Sequence, residues 1–290
     1  MTGPPPRAPD GADAPPPPLE LTGERTLPGI ADERYWFERH VVAYELAAAR
    51  VRAAGPQGAR VVLDAGCGEG YGLAMLADRA EPHARIVGID LETDVAAHAR
   101  ATYGHPGGDG RPRVEVHTAE LMALPLDDDV VDLTVSFQVI EHLHDIPGYL
   151  RSLRRVTRPG GEIWIATPNR LTFTPDHDTP VNPFHTREFT AAELTAELTG
   201  AGLTVTSMLG IHHGTRLRAL ERITRRTVPD LLTSRAPERW PAWLRATVHR
   251  VDATWFEVRP RDPDGDADLD ASLDLLALCR VPPDAPDTGP

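Results

Sequence analysis

The sequence contains no lysine, so all thirty of its basic residues are arginine. This absence excludes chemistries that depend on a lysine amine: a Walker-type phosphate lysine, a pyridoxal Schiff base and a lysine general base. Positive charge is also scarce overall, with a formal net charge of −13. Because nucleic-acid binders need a positive surface to meet phosphates, we expect neutral or cationic ligands and no nucleic-acid partner.

Cysteines and long apolar runs are few as well. Cys67 and Cys279 lie far apart and form neither a metal-binding spacing nor a disulfide framework, which favours a reducing compartment. No window approaches eighteen apolar residues, and the Pro-rich N-terminus lacks the basic and apolar regions of a signal peptide. We expect a cytoplasmic protein with no membrane partner; the sequence leaves the oligomeric state open.

Composition divides the chain into six stretches. Residues 1–20 and 283–290 are rich in proline and poor in large apolar side chains, so we predict that both are disordered tails. The other four are a helical segment that closes over the cofactor (21–58), a cofactor-binding core (59–210), a cap insertion (211–268) and a final core strand (269–282).

Short β-branched runs alternate with Ala- and Leu-rich stretches at helical spacing. The first five runs have the rhythm of βαβ units, which predicts an α/β fold with a parallel sheet and helices on both faces. The last two strands depart from that rhythm, and we expect the final one to be inserted antiparallel. The seven predicted strands lie at 60–65, 84–90, 113–118, 130–137, 161–167, 203–210 and 271–280.

Two further segments flank the last strands. A helix is predicted at 189–202, with Thr190 as its N-cap and Glu193 three residues later. The insertion after the sixth strand is too long for a hairpin loop and carries several tryptophans and arginines, so we predict a cap over the site.

The strand order resembles that of the class I S-adenosylmethionine (SAM) methyltransferases, which implies a Rossmann-like seven-stranded, mostly parallel sheet. The loop "DAGCGEG" after the first strand fits this family better than a dinucleotide enzyme, because Tyr71 stands where the third glycine of G-x-G-x-x-G belongs. Asp64 would repel a pyrophosphate, whereas it could accept a hydrogen bond from the ammonium group of SAM.

Asp90 ends the second strand, twenty residues beyond Gly70, where a carboxylate can accept hydrogen bonds from both ribose hydroxyls. Arg39, in the leading helix, could meet the carboxylate of SAM. In this family the Ala119-Glu120 region flanks adenine. The residues that the resemblance assigns to the cofactor are Arg39, Asp64, Ala65, Gly66, Cys67, Gly68, Gly70, Asp90, Leu91, Ala119, Glu120 and Gln138.

The segment "FQVIEHLHD" places Glu141 and His142 at the carboxyl end of the fourth strand, where open α/β sheets bind ligands. The pair resembles an E-x-x-E-H pattern that binds a divalent cation in certain ubiquinone-pathway and small-RNA methyltransferases, although Gln138 replaces the first glutamate. Three roles stay open: His142 as a metal-free base, a Mg²⁺ site formed by Glu141, His142 and His185, or a structural role.

A Pro-rich loop at 167–190 follows the fifth strand. Its polar side chains and its Phe173 and Phe184 rings suit a polyhydroxyl ligand such as a sugar, and we expect His185 to face His142 across that acceptor. The alternative is a solvated loop fixed by its own Asx turns. The candidate substrate residues of this loop and the cap are Asn169, Arg170, His177, Asn182 and Trp240.

Five stretches between Leu21 and Arg280, among them "TPNRLTFTPDHDTPVNPFHTREF" and "SLDLLAL", look like the actinobacterial methyltransferase associated with methylglucose lipopolysaccharide. This resemblance implies methyl transfer from SAM to a glucosyl hydroxyl, at the 6-position, of an α-1,4-glucan, with the cap tryptophans as acceptor platform or as the cap's own core. The alternatives are another oligosaccharide, an RNA ribose, a phenol or quinone-like acceptor, and SAM binding without turnover.

Overall fold

The structure is a computed structural model that describes residues 19, 25–55, 59–175, 177, 179–261 and 267–283. The predicted tails lie almost wholly outside these residues. Nine strands are described, β1 to β9 in chain order: Val61–Ala65, Arg85–Asp90, His105–Gly108, Arg111–Thr118, Val131–Phe137, Thr157–Pro168, Thr204–His213, Phe256–Pro260 and Asp274–Arg280. The helices α1 to α10 are Arg34–Ala53, Tyr71–Arg79, Thr93–Tyr103, Ile146–Val156, Arg170–Phe173, Ala191–Gly200, Thr215–Thr224, Val228–Thr233, Ala242–Val248 and Ala267–Asp270.

The nine strands form one sheet in the order β3-β4-β2-β1-β5-β6-β9-β7-β8. The five strands β4, β2, β1, β5 and β6 pair in parallel, and β9 lies antiparallel between β6 and β7. This order confirms the predicted Rossmann-like sheet with a final antiparallel strand. Because the parallel strands all end at one edge, the loops after β1, β2, β5 and β6 lie close together and form the site.

Two strands were not predicted. β3 contains two glycines and a proline and pairs with β4 as a hairpin, while β8 arises inside the insertion and pairs with β7 at the sheet edge. Neither shows the uninterrupted β-branched run on which strand prediction depends, and each is held by its partner's backbone. The seven predicted strands are all present, with ends displaced by a few residues.

Apolar side chains alternate between the two faces of the sheet. Along β1, Val62 belongs to the cluster that packs against α1, α2 and α3, whereas Leu63 belongs to the cluster packed against α4 and α6. Both side chains are fully buried, as the period of two in a strand covered on both faces requires.

Helix α6 begins as predicted. The Thr190 side chain accepts a hydrogen bond from the Glu193 amide, and the Glu193 carboxylate accepts one from the Thr190 amide, which is a complete capping box. This helix follows directly on the Pro-rich loop and fixes where that loop ends.

The insertion between β7 and β9 contains α7, α8, α9, β8 and α10. It packs against the start of α1: the Arg34 side chain donates to the Val251 carbonyl at 2.8 Å, and His249 Nε2 lies 2.8 Å from an Asp32 carboxylate oxygen. Within the described part of the chain, no helix has the length and hydropathy to cross a bilayer.

Candidate active site

The loop after β1 turns sharply on glycines with positive φ. At Gly66, with φ of 86°, a Cβ would stand 2.5 Å from a methyl group of Val139. At Gly68, with φ of 53°, a Cβ would meet nothing within 4 Å, so the backbone here faces open space. The Gly68 amide donates to the Asp90 carboxylate at 2.9 Å, which ties this loop to the end of β2.

A cleft of about 240 Å³ opens at this loop. The Asp90 carboxylate lines it and also accepts a hydrogen bond from the Glu92 amide at 3.0 Å, so its position is fixed before any ligand binds. Leu91 beside it is 61% exposed, an apolar surface suited to the flat face of a base. The Asp90 carboxylate, the exposed Leu91 side chain and the open space at Gly68 fit the ribose and the base of a nucleoside. Of the predicted cofactor residues, those lining the cleft are Gly66, Cys67, Gly68, Asp90, Leu91, Glu120 and Gln138.

The position of Asp64 does not support the expectation that its carboxylate meets the ammonium group of SAM. Its side chain is fully buried behind the loop, where the Tyr44 hydroxyl donates to both carboxylate oxygens at 3.2 and 3.1 Å. Burial raises the pKa of Asp64 to about 7, and the Tyr44 hydrogen bond opposes part of that rise. Both carboxylate oxygens of Asp64 thus accept a hydrogen bond from Tyr44 on the side of the loop away from the cleft. Asp64 therefore supports the loop.

Three other predicted cofactor residues are not among those that line the cleft. Ala65 is fully buried in β1, and the half-buried Ala119 donates its amide to the Asp90 carbonyl. Gly70 precedes α2 with its Cα against the Tyr103 ring, where a Cβ would stand 2.7 Å away. Ala65 and Gly70 therefore shape the loop through packing.

Several cleft residues escaped the sequence reasoning. Glu69 is buried and accepts hydrogen bonds from the Tyr103 hydroxyl, at 2.9 and 3.0 Å, and from the Tyr71 amide. His40 and Tyr44, from α1, close the opposite side. Burial lowers the pKa of His40 to about 3, so that this imidazole is neutral. Glu69 could have been included as a cleft residue because it lies within the glycine loop itself. No pattern in the α1 sequence indicates that His40 lines the cleft.

A second cavity, of about 600 Å³, adjoins the cleft and shares Gln138 and His142 with it. We call it the acceptor cavity. Gln138, at the end of β5, has a positive φ of 57°, and its side-chain amide donates to Asp274 at 3.3 Å. The aromatic rings lining the cavity belong to Trp36, Phe173 and Phe184.

Arg39 lines the acceptor cavity and is not among the residues that line the cofactor cleft, so its position does not support the expectation that it meets the cofactor carboxylate. Its side chain is 3% exposed, forms an ion pair with the buried Asp274 at 2.8 Å and lies between the Trp36 and Phe173 rings. Arg39 Nε has no hydrogen-bond partner among the described residues. Sequence spacing could not find this ion pair, because Asp274 lies 235 residues away.

The structure brings Glu141, His142 and His185 together: one ligand-type atom from each lies within 4.8 Å of the others. Glu141 and His142 belong to a short 3-10 turn after β5, and the Glu141 carbonyl accepts from the Thr186 amide at 2.7 Å, which draws the Pro-rich loop inward. Glu141 is 1% exposed, and burial raises its pKa to about 8.

The two imidazoles are oriented by further contacts. His142 Nδ1 lies 3.0 Å from the Phe184 carbonyl, and His185 Nδ1 lies 2.7 Å from a carboxylate oxygen of the buried Glu188. The rings meet edge to face, with centroids 5.0 Å apart. Asn182, a predicted substrate residue, lines the acceptor cavity and its side-chain amide lies 3.0 Å from His185 Nε2.

The other predicted substrate residues lie elsewhere. Asn169 is buried and donates to the carbonyls of Leu269 and Ser272, which anchors the end of β6. Arg170 and His177 line a separate cavity of about 200 Å³. The roles expected of these residues beside the reacting hydroxyl are therefore not supported by their positions.

Trp240 belongs to the core of the insertion, so its position favours the alternative that the cap tryptophans form the cap's own core and does not support a substrate contact. Its indole is buried, and its N–H donates to the Leu232 and Arg235 carbonyls at 3.1 and 3.0 Å. Among the described residues of the insertion, Thr233 lines the acceptor cavity.

Known proteins resemble this chain in sequence and fold. A family model described as a methyltransferase domain matches residues 63–165. A probable S-adenosylmethionine-dependent methyltransferase of Mycolicibacterium smegmatis is 44% identical over 275 residues, covering 94% of this chain and 99% of the relative. One of Mycobacterium tuberculosis is 42% identical and covers 94% of each chain.

Solved structures resemble the fold at lower identity. The geranyl diphosphate C-methyltransferase of Streptomyces coelicolor matches with a TM-score of 0.51 at 14% identity, covering 81% of this chain and 78% of that one. At this identity the similarity concerns the fold alone.

Proposed function

The chain belongs to the class I SAM-dependent methyltransferases, and from that premise we propose that it methylates a sugar hydroxyl, namely the 6-hydroxyl of glucosyl units in an α-1,4-glucan. SAM is the cofactor, and when bound it supplies an electrophilic methyl group on a sulfonium. The chain's own residues must place a hydroxyl in line with that methyl and remove its proton. We include a cytoplasmic location in the proposal.

The observation that carries the proposal is the character of the acceptor cavity. Beside the rings of Trp36 and Phe173, its lining includes the polar side chains of Arg39, Asn182 and His185. Such a lining offers hydrogen-bonding groups next to flat apolar surfaces. A polyhydroxyl ligand can pair with these groups, whereas an apolar acceptor leaves each polar group that it desolvates unpaired at a cost of about 1–3 kcal/mol.

His142 lies where the two cavities meet, so it can reach a hydroxyl that faces the methyl donor. A carbonyl oxygen only accepts hydrogen bonds, so the contact with Phe184 assigns the ring hydrogen to Nδ1 and leaves the lone pair on Nε2. A neutral imidazole in this tautomer can take the hydroxyl proton. The choice of a glucan rests on the likeness of the Pro-rich loop to the methylglucose lipopolysaccharide enzyme.

Incubation with methyl-labelled SAM and a series of α-1,4-glucooligosaccharides tests the proposal. We expect labelled product with the methyl group on a 6-hydroxyl, located by mass spectrometry and NMR. His142→Ala should lower the rate by about 10²–10⁴-fold, whereas His144→Ala, an exposed histidine two residues on, should leave it unchanged. Absence of transfer to every glucan and related oligosaccharide would overturn the sugar acceptor.

A second acceptor class has one observation in its favour. Between residues 210 and 262 the chain carries eleven arginines against six acids, so the insertion is locally basic within an acidic protein. An RNA ribose would suit such a surface. Parallel assays with short RNAs and with catechol-type phenols separate these acceptors from glucans, and preferred methylation of RNA would move the proposal to that class.

A further inference from the structure

The place where the cofactor cleft and the acceptor cavity join is lined by a histidine of α1 as well as by His142. We infer that this residue, His40, donates a hydrogen bond to the oxygen that accepts the methyl group. The inference rests on the proposed function in one respect, that the acceptor atom is a hydroxyl oxygen. The lining residues that the two cavities have in common are Arg25, Thr26, His40, Gln138 and His142.

Methyl transfer is an in-line displacement, so the donor carbon and the acceptor oxygen must meet where the two cavities join. Two of the shared side chains are already engaged there. Arg25 forms an ion pair with Glu92, and the Gln138 amide donates to Asp274 at 3.3 Å. The shared imidazoles are therefore the groups best suited to contact the reacting oxygen.

The His40 ring has one nitrogen held by the chain and the other open to a ligand. Its Nδ1 lies 3.3 Å from the Thr26 hydroxyl oxygen. Its Nε2 forms no hydrogen bond with the described residues, and it is not among the enclosed atoms that lack a partner. Since His40 lines both cavities, an accessible Nε2 can meet a ligand at their junction.

The Thr26 hydroxyl determines which nitrogen carries the hydrogen. This hydroxyl is also a hydrogen-bond partner of the Tyr71 phenol, and burial holds the pKa of Tyr71 well above its ordinary value. A phenol that keeps its hydrogen donates it to the Thr26 oxygen, and Thr26 then donates its own hydrogen to His40 Nδ1. This chain of hydrogen bonds places the imidazole hydrogen on Nε2.

The phenol at the start of this chain is held by packing. The Tyr71 ring lies against the rings of Phe37 and Tyr44, with centroids 4.8 and 5.3 Å apart. Both partners belong to α1, the helix that also carries His40. The hydrogen-bond chain is therefore fixed before an acceptor binds.

A neutral His40 is the form that this position requires. Burial, with a smaller contribution from the charge of Arg39, lowers the pKa of His40 to about 3. A cationic imidazole would repel the sulfonium of SAM, whereas the neutral ring does not. So low a pKa also makes His40 a poor proton acceptor, which leaves hydrogen bonding as its role.

The donor explains how a hydroxyl is oriented. A hydroxyl oxygen has two lone pairs and one hydrogen. When His40 donates to one lone pair, the other faces the methyl group, and the hydrogen is left for the base that removes it. The same hydrogen bond stabilises the negative charge that develops on the oxygen. A neutral amine has a single lone pair, which this donor would occupy, so the arrangement selects an oxygen acceptor.

NMR of the full-length protein, labelled with ¹⁵N-histidine and saturated with S-adenosylhomocysteine, tests the tautomer without any acceptor. The His40 signals are those lost in His40→Gln. We expect a ring protonated at Nε2 that does not titrate between about pH 5 and 8. Thr26→Val, which removes the hydroxyl, should shift the ring toward the other tautomer, and Thr26→Ser should not. A ring protonated at Nδ1, or an imidazolium in this range, would overturn the inference.

Methyl transfer from labelled SAM to α-1,4-glucooligosaccharides tests the role of the donor. His40→Leu should lower kcat at least about tenfold, with the SAM affinity within about threefold of the parent. His40→Gln, whose amide N–H can replace the imidazole N–H, should recover part of that loss. The control is His212→Leu, because His212 is a buried histidine outside both sets of lining residues, and its kcat should equal that of the parent.

Circular dichroism and SAM calorimetry establish that each variant is folded. An unchanged kcat in a His40→Leu variant that binds SAM normally would refute the role of His40, and so would a loss that His40→Gln does not reduce. If the parent methylates no sugar, the proposed acceptor fails and the NMR measurement still decides the inference. The same variants are then compared on the RNA or phenol hydroxyl that is methylated.

Discussion

The cofactor cleft and the acceptor cavity share Arg25, Thr26, His40, Gln138 and His142, but their remaining walls are built differently. In the cleft, the carboxylates of Asp90 and Glu69 are already held by amides and hydroxyls of the chain. In the cavity, polar atoms of Arg39 and Glu141 are buried without partners among the described residues. The carboxylates of the cleft are thus held in place before a ligand binds, while polar atoms of residues that line the cavity remain unpaired.

The same difference appears along the chain. The family model that matches residues 63–165 spans most of the cleft and stops before the Pro-rich loop and the insertion. We therefore expect the parts shared with many methyltransferases to bind the methyl donor. We expect acceptor choice to depend on α1, the loop and the end of β6, whose residues line the acceptor cavity together in the folded molecule.

The largest expected effect concerns the ion pair under the acceptor cavity. Arg39→Met leaves Asp274 buried without its cation, so we expect a loss of about 3–5 kcal/mol in the free energy of unfolding, measured with urea. The double variant Arg39→Met/Asp274→Leu should lose less than the single one. The SAM affinity of folded Arg39→Met should stay within about threefold of the parent. If the variant instead lost SAM binding without losing stability, Arg39 would be a ligand of the cofactor.

On the cofactor side, Asp90→Ala should weaken SAM binding by roughly 100-fold, about 3 kcal/mol, because charge-assisted hydrogen bonds are worth about 1.5–3 kcal/mol each. The substitution also removes the hydrogen bond from the Gly68 amide that ties the loop after β1 to the end of β2. Asp94→Ala, an exposed acid on α3, is the matched control and should bind SAM normally. Calorimetry measures both, and equal affinities in the two variants would contradict the assignment of the cleft.

The cavity can be tested through its aromatic wall. Trp36 lines the acceptor cavity, whereas Trp243 is exposed on the insertion. Removing a ring that packs on a sugar costs about 1.4 kcal/mol, so Trp36→Ala should raise the KM for the acceptor about tenfold with little change in the KM for SAM. Trp243→Ala should alter neither. The opposite pattern would restore the cap tryptophans as the acceptor platform.

Sequence reasoning succeeded where the signal is local. The alternation along "RVVLDA" and the glycines at 66 and 68 specify a strand and a turn within a few residues. Thr190 and Glu193 likewise specify their own cap. Because such patterns depend on near neighbours alone, the strands, the loop and the beginning of α6 could be predicted from them, whereas the arrangement of the sheet was implied by the family resemblance.

Long-range contacts account for what was missed. Asp64 was assigned from its charge, yet Tyr44 covers it from another helix. Trp240 was assigned from its ring, yet carbonyls within the insertion take its N–H. Burial of this kind depends on tertiary packing, and a single sequence carries no periodic signal for it. The Glu141-His142 pair was singled out through a family likeness, and the placement of His185 opposite His142 came from the polar side chains of the Pro-rich loop.

The smallest expected effect separates backbone strain from ligand contact. Gly68 and Gly29 both have positive φ, 53° and 83°, and in both an added Cβ would meet nothing within 4 Å. Alanine in the left-handed region costs about 1–2 kcal/mol, so both variants should lose similar stability in urea. Gly68 lines the cleft, so its new methyl group takes space from the cofactor. We expect Gly68→Ala to bind SAM about fivefold more weakly in calorimetry and Gly29→Ala to bind it normally; an equal loss in both would mean that strain alone sets the affinity.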